Sequence, residues 1–156
     1  MAGKQRISYV PLDAMTDEMR VEMERCAREG TPRPESSAVR AHVPGAFWAF
    51  ANSWRDLFHT GVCDHAIKEL CRVYVSRSVK CEYCGNQRSE QARERGLHEG
   101  QYDALLNFET ADAYDARQKA AGTCARTAEL SGRGVPSRAQ RSIASRISSV
   151  IASSGT

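Results

Sequence analysis

The stretch KELCRVYVSRSVKCEYCGNQRSEQARERG, residues 68–96, decides both the fold and the chemistry expected of this chain. Its cysteines Cys81 and Cys84 are three residues apart, so within a helical turn they lie on one side and can form a disulfide. Ahead of them, Leu70, Cys71 and Tyr74 recur at helical spacing. Alternation of apolar and polar residues, the pattern of a strand, is nearly absent. The sequence therefore predicts an all-α fold with the CxxC at the start of a helix.

Helices are expected on both sides of this stretch. Thr16 is a suitable cap for an early helix and Gly30 a suitable end, and the segment GTPRPESS that follows is expected to be a loop. Proline is tolerated in the first turn of a helix, and Pro44 opens the most aromatic part of the chain. The predicted helices are Thr16 to Gly30, Pro44 to Gly61, Asp64 to Ser76, Cys81 to Arg95 and Glu99 to Leu106. Together they predict a compact helical bundle.

Length and composition are those of an ordinary globular domain. The chain has 156 residues, 41% of them apolar and 26% charged, which is enough for one hydrophobic core. A net charge of +3 is too small to indicate binding to nucleic acid or to an acidic membrane. No apolar run reaches membrane-spanning length, and the N-terminal residues lack the apolar core of a secretory signal. We therefore expect a cytoplasmic protein.

The CxxC is expected to hold a reactive thiol. Unpaired amides at the start of a helix stabilise a thiolate and lower its pKa. Lys80 adds positive charge nearby, and Arg88 would lie one turn beyond Cys84 on the same helix face. A lowered thiol pKa is the property that a nucleophilic or peroxide-reactive cysteine needs.

A structural zinc site is the main alternative for the cysteine pair. Zinc needs four ligands, and the chain has no second CxxC and no HxxxH. His65 and Cys71 could join such a site only if folding happened to bring them close. We therefore expect no metal, and the absence of a nucleotide, flavin or haem motif predicts no organic cofactor. The other cysteines are expected to be small core residues or neutral surface thiols.

Residues 39–108 resemble the AhpD-like alkylhydroperoxidase and carboxymuconolactone decarboxylase family. The family pattern is a helix that carries a glutamate, a CxxC that opens the next helix, and a histidine four residues after the second cysteine. Here Glu69 lies twelve residues before Cys81, Cys84 completes the pair, and Ala92 and Gly96 match the positions that follow. The resemblance implies an all-α subunit that assembles into homo-oligomers, usually trimers or hexamers.

The resemblance also implies a role for each site residue. Cys84 would attack a hydroperoxide, and Cys81 would then resolve the sulfenic acid by closing a Cys81–Cys84 disulfide. Glu69 would accept or donate a proton, and an unidentified thiol reductant would restore the pair. From periodicity alone, Glu69 could equally well form a surface ion pair with Arg72 or Lys68.

One site residue departs from the family pattern. Arg88 occupies the histidine position, and arginine cannot shuttle a proton at physiological pH. It could hold a thiolate or bind an anionic substrate, or it could be a surface charge paired with Glu90 or Glu94. His65 and His98 are other candidate proton carriers, although histidines more often cap helices or face solvent.

The chain is expected to divide into three segments. Residues 1–38 form an N-terminal helix and linker, and residues 39–121 form the AhpD-like core. From residue 122 the chain is rich in Ser, Ala, Arg and Gly and has no aromatic residue, so residues 122–156 are expected to be an atypical, disordered or loosely packed tail.

Three functions remain open at this point. The leading hypothesis is a thiol-dependent, peroxidase-like oxidoreductase that reduces a hydroperoxide or a disulfide. The second is a lyase of the carboxymuconolactone decarboxylase type, in which Arg88 binds a substrate carboxylate and Glu69 handles the proton. The third is a catalytically silent oligomeric member of the family, with thiols of ordinary reactivity.

Overall fold

The computed structural model describes residues 5–132, and the regular structure in that range is helical, as predicted. None of the helices described there combines the length and apolar character needed to cross a membrane. Short 3-10 turns cover Leu12–Ala14 and Leu105–Asn107. The helices are α1 (Asp17–Glu29), α2 (Pro34–Arg40), α3 (Pro44–His59), α4 (His65–Ser78), α5 (Glu82–Gly85), α6 (Glu90–Glu94), α7 (Glu99–Ala104) and α8 (Ala116–Gly132).

The described residues fold as two units. Within that range, the first unit contains residues 5–65 together with Gln87–Arg95, and the second contains Ala66–Asn86 together with residues 96–132.

Helix α1 of the first unit begins and ends where its capping residues predict. The Thr16 hydroxyl accepts a hydrogen bond from the Met19 amide at 3.3 Å, which satisfies one of the free amides of the first turn. Gly30 ends the helix with φ +74°, a left-handed conformation that glycine adopts without strain. A β-carbon at Gly30 would also collide with the carbonyl oxygen of Arg88, so this turn requires glycine on two counts.

The core of the first unit is built from α1, α2 and α3. The predicted loop over residues 30–37 is wrong in its second half, because Pro34 is well suited to the first position of a helix and begins α2. Val10 and Trp48 pack at the edge of the core. Its buried members come from these helices and from positions just outside them: Met15, Met19, Met23, Ala38, Ala41 and Phe47.

The second unit packs aromatic side chains against the backbone of α8. Tyr74 of α4 meets the ring of Phe108 edge-on, with 5.6 Å between the ring centroids. A β-carbon on Gly122 would lie 2.8 Å and 2.9 Å from carbons of that ring. Gly122 therefore lets Phe108 approach the helix closely.

The predicted continuous helix from Cys81 to Arg95 is wrong. Helix α5 ends at Gly85, and α6 begins only at Glu90. Ser89 caps α6 by accepting a hydrogen bond from the Ala92 amide at 3.2 Å. The side-chain oxygen of Gln87 accepts from the Arg33 amide at 3.1 Å, which holds the intervening segment in a non-helical path. Helical periodicity cannot reveal this break, because a distant backbone group stabilises it.

Helix α8 passes through the expected boundary between core and tail. It extends from Ala116 to Gly132, so the first part of the segment assigned to the tail is helical. The composition of the sequence changes at Gly122, and in the structure this glycine accommodates the Phe108 ring. The rest of the predicted tail, from residue 133, lies outside the described residues, and the three-segment division stays a prediction.

Replacing Gly122 with alanine tests this packing. We expect Gly122→Ala to lower the free energy of unfolding by about 1–3 kcal/mol, because the added methyl group overlaps the Phe108 ring. The measurement is urea unfolding followed by circular dichroism. Gly45→Ala is the matched control: no atom lies within 4 Å of its β-carbon position, so this change should be neutral or stabilising by about 0.5–1 kcal/mol. Equal stability of the two variants would contradict the contact.

Candidate functional site

The turn after α4 places Cys81 at the start of α5. Lys80 adopts φ +58°, a left-handed conformation that is uncommon for a residue other than glycine. The Lys80 amide donates to the Arg77 carbonyl at 3.0 Å, and the Cys81 amide donates to the Ser76 carbonyl at 2.8 Å. These two bonds form a Schellman motif, which satisfies carbonyl groups at the end of the helix. The last residue of the motif is the N-cap of α5.

Cys81 and Cys84 form one hydrogen-bonded pair of thiols. The Cys84 amide donates to the Cys81 sulfur at 3.4 Å, within the limit for a bond to sulfur. Both residues are partly exposed, and both carry free thiols. The pair thus combines a short loop, which favours disulfide closure, with access from solvent.

The two thiols have opposite pKa shifts. The pKa of Cys81 is lowered, first by the hydrogen bond from the Cys84 thiol and second by the Cys84 amide. The pKa of Cys84 is raised, chiefly because its thiol donates that bond to Cys81, and burial adds to the effect. The lowered pKa of Cys81 thus arises from donors on Cys84 and not from a long helix, since α5 has only four residues. Activation of the thiol stays a prediction.

Glu69 is a buried carboxylate held by Arg72. Its side chain is fully buried. The Arg72 Nε lies 2.7 Å from one carboxylate oxygen and Nη2 lies 2.8 Å from the other, a bidentate contact. The pairing with Arg72 that periodicity suggested is present, but it lies in the interior and not at the surface. The proton role of Glu69 stays a prediction.

Arg72 also reaches the cysteine pair. Its Nη1 donates to the Cys84 carbonyl at 2.7 Å, so one guanidinium joins the buried Glu69 carboxylate to the backbone of the second cysteine. Sequence reasoning considered Arg72 only as a partner for a surface carboxylate. The three-residue spacing between Glu69 and Arg72 could have indicated their ion pair. The contact between Arg72 and Cys84 joins residues on either side of a turn, so helical periodicity does not indicate it.

Arg88 does not occupy the predicted position one turn beyond Cys84. Helix α5 ends before Arg88, which belongs to the first unit, and its Nη1 donates to the Gln87 carbonyl at 2.9 Å. The helical relation on which its expected role depended is therefore wrong, and the role itself stays a prediction.

The two candidate histidines have different environments. His65 is buried in the first unit, with Nδ1 3.1 Å from the Phe58 carbonyl and Nε2 2.7 Å from the Ser89 hydroxyl. A carbonyl only accepts, so the contacts assign the proton to Nδ1 and let Ser89 donate to Nε2. Ser89 is itself buried and caps α6, so this contact is part of the core. His98 is exposed and caps α7, which is the commoner situation for a histidine.

Cys26, Cys63 and Tyr83 contribute less to the picture of the site. Cys26 is buried, and burial raises its pKa to about 11, while Cys63 is exposed. Tyr83 is 42% exposed, so it does not pack in a core. In the part of the chain that the structure describes, no group of three or more His, Cys, Asp or Glu side chains could hold a metal ion.

The contribution of the buried Glu69–Arg72 ion pair to stability can be tested by substitution. Arg72→Met removes the cation that the structure pairs with a buried carboxylate, so we expect a loss of about 3–5 kcal/mol in the free energy of unfolding. The double variant Glu69→Leu/Arg72→Met should lose clearly less, because neither charge remains in the interior. Thermal and urea unfolding measure both changes.

Arg126→Met is the control for this experiment. Arg126 makes a similar bidentate contact with Glu109, at 2.7 and 2.8 Å, but both side chains are substantially exposed. Exposed pairs contribute little, so this variant should unfold almost as the wild type does. Equal losses for the single and double variants at Glu69 and Arg72 would show that packing, not charge, dominates there.

Comparison with known families supports the helical fold. The model of the carboxymuconolactone decarboxylase family matches residues 44–127, which include α3 to α7, much of α8, both cysteines and the Glu69–Arg72 pair. No match is found among curated proteins or solved structures. Because the family match covers more than half of the chain, this protein belongs to the carboxymuconolactone decarboxylase family.

Proposed function

We propose that this protein is a thiol-dependent oxidoreductase in which Cys81 and Cys84 alternate between dithiol and disulfide. The observation that supports this most directly is the Cys84 amide bonded to the Cys81 sulfur at 3.4 Å, in a pair that solvent can reach. The pair thus contains one thiol that ionises readily beside a second thiol that can close a disulfide.

A hydroperoxide is the substrate class that this pair suits best. One thiolate attacks the terminal oxygen of the peroxide, so that a sulfur–oxygen bond forms while the oxygen–oxygen bond breaks. The alkoxide that leaves takes a proton from solvent and becomes an alcohol. The second thiol then attacks the sulfenic acid, forms the disulfide and releases water. An external dithiol reduces the disulfide and completes the cycle.

Glu69 and Arg72 would support this chemistry differently from the relay that the family resemblance implies. Both carboxylate oxygens of Glu69 are engaged by Arg72 in a buried contact. This arrangement favours an anchoring role for the carboxylate, since a proton on it would compete with two charge-assisted hydrogen bonds. The proton role of Glu69 and the activating role of Arg88 stay predictions.

The lyase and the silent scaffold remain alternatives within the family. A decarboxylase-type lyase would need a group to hold a substrate carboxylate and a group to move a proton, and it would not need a disulfide. Loss of one cysteine should therefore leave such an enzyme active. A silent family member would have thiols of ordinary reactivity.

Treatment with one equivalent of a hydroperoxide tests the proposal. We expect rapid formation of a Cys81–Cys84 disulfide, because the Cys84 amide already holds the Cys81 sulfur at 3.4 Å. After alkylation of the remaining thiols, peptide mass spectrometry measures the disulfide. Cys84→Ser and Cys81→Ser should each abolish it. Cys63→Ser, which removes an exposed thiol outside the pair, should leave the rate unchanged.

Slow reaction of both thiols would overturn the oxidoreductase proposal. Turnover of a carboxylated lactone that survives in Cys84→Ser would then favour the lyase. No turnover with either substrate class would favour the silent scaffold.

A further inference from the structure

Arg72 connects the interior of the second unit to the cysteine pair. Its side chain is only 11% exposed, and it donates hydrogen bonds to both oxygens of Glu69 and to the Cys84 carbonyl at 2.7 to 2.8 Å. Arginine presents its donors in a rigid planar fork, so fixing two of them on a buried carboxylate also fixes the direction of the third. The backbone of Cys84 is thereby held to a charge that cannot move into solvent.

The anchored Cys84 directs two donors at the neighbouring sulfur. Its amide lies 3.4 Å from the Cys81 sulfur. A hydrogen bond from the Cys84 thiol is the larger cause of the lowered pKa of Cys81. Hydrogen bonds from an amide and a thiol favour the charged form of the sulfur that accepts them. The thiol hydrogen bond has the opposite effect on Cys84, because the Cys84 sulfur donates the proton of that bond and therefore loses it less readily.

We propose that Arg72 is a positioning residue for the cysteine pair, and that by holding Cys84 in place it makes Cys81 the more nucleophilic sulfur. This inference rests on the thiol chemistry proposed above and reverses the order that the family resemblance implies. Arg72 acts through the carbonyl of Cys84, to which its Nη1 donates at 2.7 Å.

The two steps of the cycle then have assigned atoms. The Cys81 thiolate gives an electron pair to the terminal peroxide oxygen, and the alkoxide that leaves is protonated by solvent. Cys84 next attacks the sulfur of the Cys81 sulfenic acid, so that the disulfide forms, the sulfur–oxygen bond breaks, and water leaves with the Cys84 proton. The nearby guanidinium charge favours loss of that proton, because it lowers the pKa of Cys84 against the larger effects that raise it.

Alkylation of the reduced protein over a series of pH values tests the order without any peroxide. A limiting amount of iodoacetamide labels the thiols, and fragmentation of the tryptic peptide that carries both cysteines shows which one reacted. Cys81 should be labelled first, with a midpoint below the ordinary cysteine pKa, whereas the midpoint of Cys84 should lie above it. Preferential labelling of Cys84 would overturn the assignment.

Variants of Arg72 test the positioning role. Because Arg72→Gln alone could fail to fold, we pair it with Glu69→Gln, which leaves no buried charge. The double variant should label Cys81 roughly three- to tenfold more slowly at neutral pH, the effect of about one hydrogen bond on the thiolate population. Arg72→Lys keeps the charge without the fork and should restore only part of the rate. Circular dichroism confirms that each variant is folded.

The matched control is the other bidentate pair of the second unit. Glu109→Gln/Arg126→Gln should leave the labelling profile of Cys81 unchanged. An unchanged profile in the Glu69→Gln/Arg72→Gln variant would overturn the role of Arg72.

Failure of this inference and failure of the proposed function give different results. Preferential labelling of Cys81 that depends on Arg72, without a peroxide-induced disulfide, would retain the inference and reject the peroxidase chemistry. A peroxide-induced disulfide with Cys84 labelled first would retain the peroxidase chemistry and reject the inference about Cys81. A sulfenic-acid trap such as dimedone, applied to Cys84→Ser and Cys81→Ser after peroxide treatment, should label only the variant that retains Cys81.

Discussion

A carboxylate that is fully buried must be paired with a positive charge, and in the second unit this requirement joins the core to the backbone of the Cys81–Cys84 pair. Glu69 is removed from solvent, and the desolvation of its charge is offset by the bidentate contact with Arg72. Three donors of one planar group cannot be aimed independently. The same contact that satisfies Glu69 therefore fixes the carbonyl of Cys84, and the electrostatics of the core determine the geometry of the site.

The turn between α4 and α5 provides the second half of that geometry. Lys80 accepts an unfavourable left-handed conformation, and in return the amides of Lys80 and Cys81 satisfy carbonyl groups at the end of α4. Cys81 is thus fixed from the α4 side through its own amide, while Cys84 is fixed through its carbonyl by Arg72. Because the backbones of Cys81 and Cys84 are both held in this way, formation of a disulfide between them would need little rearrangement.

Cys26 and Cys81 differ in pKa because their environments differ. Cys26 is buried beside Glu22, and both its burial and that carboxylate raise its pKa, to about 11. Cys81 is partly exposed, and hydrogen bonds from Cys84 lower its pKa. Burial thus disfavours the thiolate of Cys26, whereas hydrogen bonding favours the thiolate of Cys81. Cys81 also has Cys84 as a neighbouring thiol.

The sequence by itself determined the helical class, the caps of α1 at Thr16 and Gly30, and the spacing that identifies the family. These are local properties, because periodicity and capping involve residues within a few positions of one another. Only the tertiary structure decided that Arg72 binds the Cys84 carbonyl and that the predicted helix breaks before Arg88. Both depend on groups that lie far apart in the sequence or across a turn. Hydrophobic periodicity carries no information about such contacts, since it records which side of a helix faces the core and not which polar groups meet there.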